Sequence, residues 1–298
     1  MMTKFALAGL ALLILCGLAA FFFVPLRAFD LLVPQDPTSV KIAADIPYGE
    51  GPRGKLDIYA PRDSAGAPKP VIVFIYGGSW ANGTREGYGF AGRALAAAGF
   101  VTFVPDYRLF PEVRFPGFLY DCAAAVKWVR ANAVRYGGDP DHIVLVGHSA
   151  GAYNAAMLAV DPKWLGKDRA AIRGFAGLAG PYDFLPLDGA IAARTFGQWP
   201  QLDETQPIHF ADASAPPMLL LHGAKDDTVW PKNSINLNHK LKLLGADIEL
   251  KIYPELGHVG IATALARPFR YRAPVLEDVV RFAKRVSTPV ALRRRVNG

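Results

Sequence analysis

A small set of residues in this chain has the types and the order that acyl transfer requires. Ser149 lies at the centre of Gly147-His148-Ser149-Ala150-Gly151, between the apolar run Ile143 to Val146 and a stretch from Ala150 whose small residues are spaced like a helix face. A serine at a tight strand-to-helix turn stands clear of a sheet, and only glycine-sized neighbours at positions 147 and 151 let the chain turn that sharply. The helix that follows aims its N-terminus at the serine, so free N–H groups and the helix dipole favour negative charge there. Alone the pentapeptide is weak, since a G-x-S-x-G match arises by chance in about one chain in ten of this size.

A serine hydroxyl needs a base, and the base needs a carboxylate to orient it. In Leu219-Leu220-Leu221-His222-Gly223-Ala224-Lys225-Asp226-Asp227 two carboxylates follow an apolar run, with Asp226 better placed and Asp227 more natural as a turn residue. His258 follows the next such run, Ile248 to Glu255. Ser149, Asp226 and His258 thus come in the order Ser, Asp, His that a sheet enzyme with this turn uses. His142, His148, His209, His222 and His239 fit less well, by position before the serine, in a connecting segment, at a strand end or within a helix. A tetrahedral intermediate also needs N–H donors for its oxyanion. Gly77 and Gly78, directly after the apolar run ending at Tyr76, offer backbone donors, and Ala150 offers a third.

The elements that must position these groups are legible as apolar runs of strand length alternating with helix-length segments. Strands are expected near Leu56 to Pro61 and over Pro70 to Tyr76, Val101 to Pro105, His142 to Gly147, Gly174 to Gly180, Pro217 to Gly223 and Ile248 to Glu255. Helices are expected over Tyr88 to Ala98, Phe118 to Tyr136, Ala150 to Leu158, Lys232 to Leu244 and Leu276 to Val286. Near-continuous Val, Ile and Leu runs indicate strands covered on both faces, so the fold class is α/β with a mostly parallel, doubly wound sheet. Val33 to Gly54 reads as a linker followed by a first strand. The one long break, Pro181 to Ala215, is rich in Pro, Asp and aromatics; such an excursion overhangs the strand C-termini, where ligands bind, and is the expected cap.

At 298 residues and 51% apolar composition the chain suits one large domain. The net charge of +7 collects toward the C-terminus, at Arg267, Arg270, Arg272, Arg281, Lys284, Arg285 and Arg293 to Arg295. A solvated face is the simplest account, and contact with anionic lipid is the alternative. No interleaved aromatics or module signatures point to nucleic acid. Cys16 and Cys122 are too differently placed to form a scaffold disulfide, and no metal-ligand spacing is present, so neither metal nor cofactor is expected. From Phe5 to Leu26 there is no charged residue, and this run would span about 30 Å at 1.5 Å per residue, longer than the core of a cleaved signal. The expected organisation is an N-terminal hydrophobic helix in residues 1–28, acting as a membrane anchor or signal sequence, followed by a catalytic domain over residues 29–298. That domain would be exported to the periplasm or cell exterior, and secreted if the N-terminus is cleaved.

Taken together, Tyr76-Gly77-Gly78-Ser79-Trp80, the segments Pro105 to Val129 and Tyr136 to Ala159, Pro216 to Val229 and Leu256 to Ile261 resemble the α/β-hydrolase esterases of the HGGxW type. That group includes kynurenine formamidase-like enzymes and small carboxylesterases related to hormone-sensitive lipase. The resemblance extends from about Gly54 to Val286. It implies a carboxylesterase acting on short to medium acyl esters, with Ser149 as nucleophile, His258 as base, Asp226 as its orienter, and Gly77, Gly78 and Ala150 as oxyanion donors. Arylformamidase or peptidase activity on the same machinery, and a non-catalytic tethered binding protein, are the alternatives. Tyr76 stands where the family has histidine, a change at the oxyanion loop. Tyr76, Trp80 and His148 are the expected substrate-side residues, while Trp80, Glu112 and Asp121 match positions that support loops.

Overall fold

The computed structural model describes residues 25–63 and 66–288. The uncharged N-terminal run up to residue 24 and the Arg293 to Arg295 cluster lie outside them. Among the described residues no helix is long and apolar enough to cross a membrane.

Eight strands form one sheet: β1 (Ser39–Pro47), β2 (Lys55–Pro61), β3 (Lys69–Ile75), β4 (Val101–Pro105), β5 (Gly138–His148), β6 (Ile172–Leu178), β7 (Met218–Gly223) and β8 (Ile248–Tyr253). Their spatial order is β1-β2-β4-β3-β5-β6-β7-β8. The pairs β1 with β2 and β2 with β4 are antiparallel, and every other pair is parallel. The physical cause is visible in composition. Val71 to Ile75, Val101, Val104 and Ile143 to Val146 are buried, as strands between two helical layers must be. β1 instead alternates toward solvent at the sheet edge, where its polar residues are tolerated.

The helices are α1 (Pro25–Leu32), α2 (Gly89–Ala97), α3 (Gly117–Asn132), α4 (Ala150–Val160), α5 (Ala190–Phe196), α6 (Pro207–Phe210), α7 (Lys232–Leu243), α8 (His258–Thr263) and α9 (Val275–Ser287). One face of the sheet carries α2 and α9, which touch each other; the other carries α3, α4, α6 and α7 in a connected layer. The basic residues of α9 are largely engaged: Arg281 pairs with Asp278, and Arg285 with Asp247 at 2.6 Å.

The expected elements recur within a few residues of their observed bounds. Two departures stand out. The boundary expected after residue 28 falls inside α1, which docks on the body through the Asp30–Arg93 pair at 2.5 Å and edge-to-face packing of Phe29 on Phe90. The segment starting at His258 is a short helix, α8, which the expected helices did not include.

Candidate active site

β5 ends at His148, and Ser149 makes the turn into α4 with φ 53° and ψ −125°, a left-handed conformation that costs a residue with a side chain about 1–3 kcal/mol. The backbone holds it there: the Ser149 amide donates to the Leu178 carbonyl at 2.9 Å. The flanking glycines are demanded by contact. A Cβ on Gly151 would stand 2.0 Å from the Ile75 carbonyl oxygen, and one on Gly147 would meet the Gly151 carbonyl oxygen at 2.4 Å. The strand and helix therefore meet only with glycine at both positions.

The Ser149 hydroxyl lies 2.8 Å from Nε2 of His258, and Nδ1 of that ring lies 2.8 Å from Oδ2 of Asp226. Because the carboxylate only accepts, Nδ1 carries the proton and Nε2 is free to accept from the serine. Asp226 follows β7, and His258 follows β8. Asp226 Oδ1 accepts from the Thr228 and Val229 amides at 3.0 and 2.8 Å. Burial works against its charge, but hydrogen bonds from His222 and His258 and the Val229 amide prevail and hold its pKa well below the usual carboxylate range. Asp227, the other carboxylate considered, faces outward at the rim.

His222 is a residue whose part in the site the sequence did not reveal. Its Nε2 donates to the Val229 carbonyl at 2.7 Å and lies 3.2 Å from Asp226 Oδ2, while Nδ1 accepts from the Ser234 hydroxyl at 2.7 Å. Asp226 is thus gripped by two imidazoles and two backbone amides. The signal available was its place at the end of β7, four residues before the carboxylate.

The expected substrate-side residues separate. Trp80 and Ser79 line a cleft of 780 Å³ together with Ser149, Ala150, Phe184 and Trp230. The expected cap contributes Pro181, Phe184, Pro186 and residues 188–192 to its wall. Trp80 is fixed by its indole N–H donating to Asn154 Oδ1 at 3.1 Å and by edge-to-face contact with Phe196. Asp121 holds Arg108 at 2.7 Å, the loop support expected of it. Tyr76 and His148 do not reach the cleft. Tyr76 is fully buried; its hydroxyl turns away to donate to Asp106 Oδ1 at 2.8 Å and accepts from Arg53 at 3.1 Å. A large ring cannot enter the cleft from here because it stacks on Tyr107 at 4.8 Å and Gly83 packs against its edge. His148 points into the interior, with Nδ1 2.8 Å from the Tyr88 hydroxyl.

The expected oxyanion donors Gly77 and Gly78 lie just past the end of β3. Among the described residues, the Gly77, Gly78 and Ser79 amides have no backbone acceptor, and Ala150, first residue of α4, presents an amide that no preceding turn of helix can use. Ser79 and Trp80 hold φ of 51° and 55°, so the loop is strained where it borders the cleft. The arrangement as a whole can pass a proton from a hydroxyl to an imidazole beside a set of unpaired amides.

Comparison with known proteins adds an independent line. Residues 56–241 match the model of the BD-FAE family. Esterase LipC of Mycobacterium tuberculosis is 32% identical over 235 residues, covering 71% of this chain and 58% of LipC. A probable isoprenylcysteine alpha-carbonyl methylesterase, ICMEL1 of Arabidopsis thaliana, is 30% identical over 247 residues, covering 74% of this chain and 51% of the plant protein. The chain therefore spans little more than half the length of these two relatives. Among solved structures, a truncated carbohydrate esterase from gut microbiota superposes with a TM-score of 0.75 at 24% identity, over 86% of this chain and all of the other, which shows a shared fold.

Proposed function

Since this chain belongs to the BD-FAE family, we propose that it is a carboxylic ester hydrolase that works through Ser149, His258 and Asp226 and an acyl-enzyme. One observation carries the proposal: the hydroxyl–imidazole–carboxylate chain, 2.8 Å at each link, ends on a serine that borders a 780 Å³ cleft. In this reading Ser149 Oγ attacks the ester carbonyl as its proton passes to His258 Nε2, and Asp226 stabilises the imidazolium. The tetrahedral oxyanion takes hydrogen bonds from the Ala150 amide and from the amides of the loop that holds Gly77, Gly78 and Ser79. Collapse expels the alcohol, which leaves with the proton from His258. Water then attacks the acyl-enzyme with His258 again as base, releasing the acid and restoring Ser149.

The cleft volume suits a ligand of modest size, and Phe184, Trp80 and Val229 make its walls apolar, which supports short to medium acyl groups. Hydrolysis of nitrophenyl esters of graded chain length, run beside N-formylkynurenine and a peptide anilide, tests this. Turnover highest on esters of short or medium chain is expected; preference for the formamide or the anilide would refute the ester reading. Labelling by a fluorophosphonate that disappears in Ser149→Ala tests the nucleophile.

The proposal includes an N-terminal membrane anchor with the body exported. Its support is the uncharged run Phe5 to Leu26, which leads into the docked helix α1. Beside it stand exposed Leu31, Leu32 and Tyr271, with Arg267 and Arg272 also at the surface, a composition suited to a lipid headgroup layer. The two segments are joined by Arg270 on Asp36 at 2.8 Å. Flotation of the full chain with liposomes and activity of a C-terminal reporter outside the cytoplasm are the expected results; a reporter active only in the cytoplasm would refute export.

A further inference from the structure

The polar groups behind Ser149 form a directed chain that the acyl-transfer steps do not use. The carbonyl oxygen of His258 can only accept, so His148 Nε2, 3.1 Å away, carries the ring proton and donates to it. His148 Nδ1 is then bare and accepts from the Tyr88 hydroxyl at 2.8 Å. The Tyr88 ring in turn stacks on Tyr76 at 5.9 Å, and the next residue, Gly77, packs on His148 so closely that a Cβ there would stand 3.1 Å from Nδ1. The order is Tyr88 O–H to His148, and His148 N–H to the His258 carbonyl. Tyr88 and His148 are both buried, and the rings of His148 and His258 lie 5.0 Å apart.

Position makes this chain consequential. His258 opens α8, a helix of six residues preceded by the turn after β8, and its neighbour Val259 is 58% exposed. A short, half-exposed element is a poor fixture for a base that must meet Ser149 within a fraction of an ångström. His148 is bonded in sequence to Ser149, so residues 148 and 149 hold His258 at two points: its carbonyl through His148 and its ring through the Ser149 hydroxyl.

We propose that Tyr88 and His148 are positioning residues that lock the oxyanion-side loop and the backbone of His258 to the nucleophile turn in one register. The proposal rests on the esterase reading of Ser149 and deepens it: neither residue lines the cleft, and both act through others. Burial pushes the His148 imidazolium pKa down to about 3, so the ring stays neutral and the direction of the chain does not change at working pH.

Three variants of the full chain separate the links. The side-chain amide of His148→Gln reaches the place of Nε2 and can still donate to the His258 carbonyl. His148→Asn is too short to do so, and Tyr88→Phe removes the hydroxyl while keeping the ring. Turnover of nitrophenyl butyrate is measured per active site, with sites counted by fluorophosphonate titration so that misfolded molecules are not scored. Misplacement of a base by about 1 Å costs up to about 100-fold, so His148→Asn should lose about 10- to 100-fold in kcat with KM held within about twofold. His148→Gln should recover most of that loss, and Tyr88→Phe should fall between them. Equal turnover per site in wild type, His148→Asn and Tyr88→Phe would overturn the proposal, whether or not the number of sites drops. So would equal losses in the Gln and Asn variants. A wild type that neither labels nor turns over would instead remove the esterase reading beneath it, and this inference with it.

Discussion

Two polar clusters, each centred on buried carboxylates, flank the oxyanion loop, and they are built to opposite ends. In one, Arg85 lies among Asp57, Asp106, Asp45 and Glu86, with Lys41 on Asp57 at 2.6 Å and Tyr76 on Asp106. Every member is turned toward another member, and none lines the cleft. In the other, Asp226 is gripped from four sides and passes its order through His258 to a single hydroxyl, Ser149, which borders open space. Charge density alone would rank the first cluster as the more chemical. What separates them is closure: a site needs one member whose hydrogen bond can be exchanged for a substrate, and a structural cluster has none.

The sharpest way to break this comparison is at the open end. Ser149→Ala should lower turnover by about 10³-fold or more, since the remaining amides and binding supply only a residue of the rate. Ser149→Gly should do the same and also raise stability by about 1 kcal/mol, because glycine relieves the positive φ. Chemical denaturation beside the kinetic assay checks both, and a Gly variant no more stable than wild type would mean that the turn is not strained. Next comes Asp226→Asn, which keeps the shape but lets the amide offer N–H to the imidazoles. A fall of about 10²- to 10⁴-fold in kcat, with KM little changed, is expected in stopped-time assays of a butyrate ester.

The closed cluster should answer in stability. Arg85→Met removes the guanidinium that the buried carboxylates of Asp57 and Asp106 share, leaving Asp57 to Lys41 and Asp106 to the Tyr76 hydroxyl, a cost of about 3–5 kcal/mol in urea unfolding. Turnover per titrated site should stay within about threefold of wild type at temperatures where the variant is folded. If that variant instead kept its stability and lost turnover, the two clusters would have been assigned the wrong way round.

Much of this was open to reading in the chain itself. The sheet was legible because burial on both faces forces continuous Val, Ile and Leu, and Ser149, Asp226 and His258 were legible because each follows such a run. Tyr88, His222 and Arg85 were not. Their roles depend on which side chains the crossovers bring together: Tyr88 to His148 spans sixty positions, and Arg85 to Asp45 forty. α1 was hidden by its neighbour: an apolar run masks the point at which a helix stops belonging to it.

Acid stability distinguishes His148 from Asp226. His148 titrates near its ordinary 6.5 when unfolded and at about 3 when folded, so between these values the unfolded chain binds more protons. Stability contributed by this group is therefore complete above the unfolded pKa and is lost as pH falls toward about 3, at up to about 1.4 kcal/mol per pH unit. Asp226, also depressed, acts lower, with its contribution lost only below its unfolded value of 3.8. Urea midpoints from about pH 7 to about pH 4 should fall less steeply in His148→Gln than in wild type, while Asp226→Asn keeps the wild-type slope in that window. Parallel curves for wild type and His148→Gln would mean that the ring is not held neutral.

The smallest expected effect bears on the residue that joins the two clusters. Tyr76 gives its hydroxyl to Asp106 in the closed cluster, while its carbonyl accepts from the Tyr107 hydroxyl at 2.9 Å and the next residue begins the oxyanion loop. Tyr76→Phe removes the hydroxyl and leaves the ring stacked between Tyr88 and Tyr107. Asp106 keeps its donors from Arg85, and Arg53 keeps the Gly83 carbonyl at 3.2 Å, so the cost should be that of one buried hydrogen bond, about 1–2 kcal/mol. The backbone of the loop is held by the ring and by Tyr107, neither of which changes, so kcat and KM for the butyrate ester should stay within about twofold. A stability loss with unchanged kinetics would place Tyr76 wholly in the closed cluster. A kinetic loss larger than the stability loss would show that the two clusters communicate through this one side chain, and that Tyr76 tunes the loop as well as supporting it.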